Sequence, residues 1–119
     1  MRILLDENVP RQLRSILTSH DVRTTLQMGW ARYSNGQLLD EAEKAGFDAF
    51  VTADQGIPSQ QNIAGRRIAV IVLSTNRWAA IRAEPGPVQR AVSSASPGLF
   101  SFANFTRGRS PRCPRTPTC

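Results

Sequence analysis

The chain has 119 residues, a formal net charge of +6 and 40% hydrophobic residues. That size fits one domain rather than two, and the apolar content is too high for a chain disordered throughout. No apolar run approaches the ~20 residues that span a bilayer, so no integral membrane protein is expected, and Asp6 interrupts the opening apolar stretch too early for a secretory signal.

Ile3, Leu4 and Leu5 form a short run without polar alternation, which suits a strand buried on both faces. Asp6, Glu7, Asn8 and Pro10 end it, and Pro10 suits a first helical turn. Leu13, Ile16 and Leu17 follow at helical spacing, so the first unit reads as strand, acidic loop, helix. Residues 21–25 form a weak second strand, and 27–33 a loop rich in Gly and aromatics. Ser34 and Gln37 have the spacing of a capping box. Leu38, Leu39, Ala42 and Ala45 make the inner face of the helix that follows, and Gly46 ends it. Residues 49–51 make a third strand, closed by Thr52-Ala53-Asp54, and 68–73 the strongest strand of the chain. Helices are expected over 77–83 and, behind Pro87, over 88–95, with a last edge strand over 99–105. Strands alternating with helices predict an α/β fold with a mostly parallel central sheet, covered on both faces.

Charge divides the chain unevenly. Residues 1–95 carry 11 basic and 9 acidic side chains, whereas residues 96–119 carry four arginines and no acid. The basic character therefore belongs mostly to the end of the chain and is weak ground for nucleic-acid binding. Residues 106–119 hold three prolines and no aliphatic side chain, so a disordered basic tail is expected after a domain over 1–105. Without an amphipathic pattern or interleaved aromatics, the tail reads as an extension rather than an RNA-attracting arm. Both cysteines, Cys113 and Cys119, lie in it without the paired spacing of a zinc module. A body without cysteine needs no oxidising compartment, which points to the cytoplasm.

The distinctive polar residues fall at strand ends, where open α/β sheets collect their sites. Asp6, Glu7 and Asn8 follow the first strand; Asp54 and Gln55 follow the third. If those strands are neighbours, Asp6 and Asp54 share a crevice and repel each other unless a cation lies between them. Mg²⁺ or Mn²⁺ suits such oxygen ligands, and a metal held there activates water and stabilises a phosphoryl transition state. Asp, Asn and Pro after a strand are also ordinary loop and helix-cap residues, so the single residues do not decide between the readings.

The run Ile3-Leu4-Leu5-Asp6-Glu7-Asn8-Val9-Pro10, followed by Ser34-Asn35, the helix to Gly46 and Thr52-Ala53-Asp54, resembles small PIN-like proteins. These are predicted nucleases, often encoded as toxins of toxin–antitoxin pairs. The resemblance spans about residues 1–95. It implies a three-layer α/β/α PIN-like fold and an acidic, metal-dependent ribonuclease site in which Asp6 and Asp54 bind the metal. RNA and an antitoxin protein are the implied partners, and a homodimer the implied assembly. The chain departs from the family at Asn35, where an acid is frequent, and at Gly56 and Ile57, where an acid and an aromatic are frequent. Glu7 is the preferred third acid, with Asn35 assisting. Asp40 and Glu41 read as a solvated helix face with Glu43 and Lys44. The depleted acid set also motivates a second reading, a non-catalytic PIN-like module that binds RNA or a protein.

Gln60, Gln61, Arg66 and Arg67 cluster between the third and fourth strands, where with Asn8 they are candidates to contact RNA; a polar surface loop is the plainer reading. Trp30 and Tyr33 either stack on an unpaired base or pack their loop onto the domain. His20 is the only histidine, and one histidine without a partner ligand makes no zinc site.

Overall fold

The computed structural model describes residues 1–30, 32–54 and 65–105. Its centre is a five-stranded sheet of β1 (Arg2–Leu5), β2 (Asp21–Thr24), β3 (Ala49–Thr52), β4 (Ala69–Leu73) and β5 (Phe100–Ala103), in the order β2-β1-β3-β4-β5. Every neighbouring pair is parallel, with Ile3 opposite Val22 and Ala49, and Val70 opposite Phe50 and Phe100. β3 and β4 are buried along their whole length, whereas the edge strands β2 and β5 are partly exposed. Continuous apolar runs and central positions coincide because a strand covered on both faces cannot alternate with polar residues.

The pleat sorts the apolar side chains into two cores. Ile3, Leu5, Val51, Ile71 and Leu73 face one way; Leu4, Phe50, Val70 and Val72 face the other. On the first face lie the 3-10 turn Arg11–Ser15 and the helices α3 (Trp78–Ala83) and α4 (Gly86–Ser93), through Leu13, Ile81, Val88 and Val92. On the second lies α2 (Asn35–Lys44), through Leu38, Leu39 and Ala42. This is the expected α/β architecture, and among the described residues no helix is long and apolar enough to cross a membrane.

Two local expectations need correction. The first helix is a five-residue 3-10 helix, Arg11–Ser15, rather than an α-helix running to Leu17. The loop expected over 27–33 instead starts inside a helical turn, α1 (Thr25–Met28). Thr24 caps α1 reciprocally with Gln27, at 3.1 and 2.9 Å, and Gly29 ends it at φ 78°. The Ser34–Gln37 box on α2 is present as expected, and Gly46 (φ 84°) turns the chain just beyond that helix.

The connections β1→β2 and β4→β5 both cross the first face, yet they step in opposite directions along the sheet. Crossovers of one hand that step in opposite directions lie on opposite faces, so these two differ in hand. β2→β3 steps away from the β1→β2 direction and crosses the second face through α2, so those two agree. The β4→β5 crossover is therefore opposite in hand to both β1→β2 and β2→β3.

Candidate functional site

The order β2-β1-β3-β4-β5 reverses at β1: the chain leaves β1 toward β2 on one side, and β3 takes the other. The crevice beyond the carboxyl ends of β1 and β3 is therefore the topological switch point, where open α/β sheets bind ligands. Asp6 directly follows β1, and Asp54 lies two residues beyond the end of β3.

Thr52, the fully buried last residue of β3, ties the two together. Its hydroxyl donates to Asp6 Oδ2 at 2.8 Å and accepts from the Asp54 amide at 3.0 Å. The Glu7 amide donates to Asp6 Oδ1 at 2.9 Å, and the Asp6 amide continues the sheet ladder to the Val51 carbonyl. The Val9 amide reaches the Asp6 carbonyl, closing a turn that carries Glu7 and Asn8 at its exposed tip. Asp6 itself keeps only 8% of its surface exposed. Burial pushes its carboxyl above the ordinary value, against the Thr52 and Glu7 hydrogen bonds that favour ionisation, and the charges of Glu7 and Asp54 add to the upward push. A buried carboxylate beside further negative charge gains from a cation placed in the same crevice.

The other expected residues divide. Asn8 braces the crevice: its side-chain oxygen accepts from the Ala53 amide at 3.1 Å. Asn35 is the first residue of α2, whose amino terminus the parallel topology puts at the carboxyl end of the sheet. Arg66 is paired with two acids of α2. Its guanidinium lies 2.8 Å from Asp40 Oδ1 and 2.7 Å from Glu43 Oε2, with its side chain 18% exposed. The Arg67 amide donates to Glu43 Oε1 at 2.9 Å, while the Arg67 side chain is exposed. Asp40 and Glu43 are thus a clamp on the segment that leads into β4, not merely a solvated face. Trp30 packs its loop, edge-on to Phe47 at 6.1 Å and stacked with Tyr33 at 6.4 Å. Gln55, Gly56, Ile57, Gln60, Gln61 and the tail 106–119 lie outside the described residues.

Thr52 is the site residue that the sequence reading passes over as a positioning group. Its signal is the Thr-x-Asp spacing itself, since a hydroxyl two residues before a loop aspartate reaches that aspartate's amide.

Among the described residues no group of three or more His, Cys, Asp and Glu side chains forms a metal cage. The donors present are two carboxylates on adjacent strands and an amide oxygen. They fit Mg²⁺ or Mn²⁺, which take one or two carboxylates and complete their shell with water and substrate phosphate. They do not fit structural zinc, which needs four nitrogen or sulfur ligands. No family model, curated protein or solved structure matches this chain. Fold and crevice together define an α/β domain with a carboxylate pair at the switch point of its sheet.

Proposed function

We propose that this protein is a metal-dependent ribonuclease of the PIN-like kind, the toxin of a toxin–antitoxin pair. The observation that carries the reading is the coupling of Asp6 and Asp54 through Thr52 at the switch point. On this reading the protein works in the cytoplasm on RNA, as a homodimer neutralised by an antitoxin protein. Asp6 and Asp54 would hold Mg²⁺ or Mn²⁺, which when bound would supply Lewis-acid stabilisation of the phosphate. Hydrolysis joins a water oxygen to phosphorus and breaks the bond to the leaving ribose oxygen, which receives the water proton by way of a base. Glu7, exposed beside Asp6, takes that proton, Thr52 fixes the Asp6 carboxylate, and Asn35 assists at the phosphate.

The test is RNA cleavage with Mn²⁺ by wild type, Asp6→Asn and Asp54→Asn. Both substitutions are expected to lower cleavage by about 10²-fold or more, as losing a preorganised electrostatic contact does. Equal cleavage by all three proteins means a contaminating nuclease and refutes the reading. Absent cleavage with retained RNA binding assigns a non-catalytic module instead.

A further inference from the structure

A cavity of about 920 Å³ opens along the β2 edge, and neither Asp6 nor Asp54 is among its lining residues. Arg11, Arg14, Arg23, His20, Gln27 and Trp78 line it, with Asp21 as the one carboxylate in its wall among the described residues. Arg23 is paired with Asp21 at 3.0 Å. Arg11 and Arg14 are exposed, and neither has a carboxylate partner among the described residues. Both stand on the 3-10 turn, where residues three apart eclipse, so they line up with an axial offset of about 6 Å, one nucleotide step.

Direction follows from topology. Arg11 comes just after the Asp6–Val9 turn, and Gln27 just beyond the carboxyl end of β2. His20 and Asp21 mark the amino end of β2. The groove thus starts at the acidic end of the sheet and runs down one flank for the roughly 13 Å of a four-residue strand. The half-buried Trp78 indole adds a flat apolar wall beside the row of cations.

We infer that this groove is the substrate track, holding two to three nucleotides of single-stranded RNA by Arg11 and Arg14 on phosphates and Trp78 against a base. The choice of RNA rests on the ribonuclease reading; the row of unpaired cations beside an indole is an independent observation. An acidic peptide would use the cations but not the indole face, whereas every base has a π-face to stack.

The test uses the full chain in metal-free buffer with a fluorescein-labelled 12-nucleotide oligouridylate. Arg11→Ala/Arg14→Ala is expected to weaken binding at least tenfold and to make the log–log salt slope shallower by about 1.4, two phosphate contacts on a single strand. Both residues are exposed, so an unchanged melting temperature is expected. Arg82→Gln/Arg90→Gln removes the same charge from α3 and α4 and is expected to change binding less than twofold. In a Trp30→Phe protein, Trp78 is the one tryptophan left, and the oligonucleotide should quench it. Equal losses in the two double variants, no quenching, or tighter binding of an oligoglutamate than of oligouridylate would each overturn the proposal. Binding without metal does not depend on cleavage. Groove variants that lose RNA in a protein that never cleaves refute the ribonuclease and leave the groove standing.

Discussion

The Thr52 hydroxyl has one proton and two acceptors near it, Asp6 Oδ2 at 2.8 Å and Asn8 Oδ1 at 3.4 Å. The shorter contact is to a carboxylate, and charge-assisted hydrogen bonds are the stronger ones, so the proton goes to Asp6. The same oxygen accepts from the Asp54 amide, so one buried atom holds both the Asp6 carboxylate and the backbone that carries Asp54. Thr52→Val keeps the shape and removes the donor for Asp6 and the acceptor for Asp54. It is expected to cost about 1–3 kcal/mol, the range for a buried polar group that loses its partner. Thr52→Ser retains the hydroxyl and is expected to keep Mn²⁺-dependent cleavage within a few-fold of wild type, while Thr52→Val loses most of it. Urea denaturation and cleavage measured side by side separate the two effects. A valine variant as active as the serine variant would show that Thr52 does not position the acids.

At the scale of elements, the clamp between α2 and the segment before β4 is the clearest electrostatic feature. Burial disfavours the charged Glu43, but the Arg67 amide and the Arg66 guanidinium outweigh it and hold the carboxyl below its ordinary value. A carboxyl lowered in the native state contributes stability above its unfolded value, near pH 4.3, and loses it as pH falls through the native value. Glu43→Gln is expected to cost about 1.5 kcal/mol at neutral pH, as for a hydrogen bond to a charged group. The gap to wild type should close as pH falls through the native value. Asp40→Asn should cost under about 1 kcal/mol, because Asp40 is 59% exposed and solvent screens its pair. Equal stability losses at neutral and acid pH in Glu43→Gln would refute the titration. This clamp was hidden in the sequence, because its partners are 23 and 26 residues apart and no periodicity links them. The strands and α2 were legible, since apolar runs and a Ser-x-x-Gln box are local signals. Thr24-x-x-Gln27 is the same kind of signal, but it sits in a segment with no apolar stripe to mark a helix. Asp6 and Asp54 were legible as a pair only on the condition that β1 and β3 adjoin, which the observed register meets.

At the scale of the whole molecule, β5 is held in an unusual way. The β4→β5 crossover is opposite in hand to β1→β2 and β2→β3, and it is long, running over residues 74–99 through two helices. What returns the chain to the sheet is apolar closure on the first core by Val88, Ala91 and Val92 from α4 and by Ala103 and Phe105 from β5 and its end. Phe105 is 1% exposed, and its amide donates to Ser74 Oγ at 3.0 Å, fastening the end of β5 to the end of β4. Phe105→Ala removes a large side chain that the core cannot refill, at an expected cost of about 3–5 kcal/mol. That is a large share of the ~5–15 kcal/mol that typically stabilises a domain. A chain ending at residue 105 keeps every one of these contacts and should denature at the same urea concentration as the full chain. A chain ending at residue 99 loses β5, uncovers one side of β4 and should not fold. If the 105-residue chain is instead destabilised by as much as Phe105→Ala, residues 106–119 belong to the folded domain, and its boundary lies beyond Phe105.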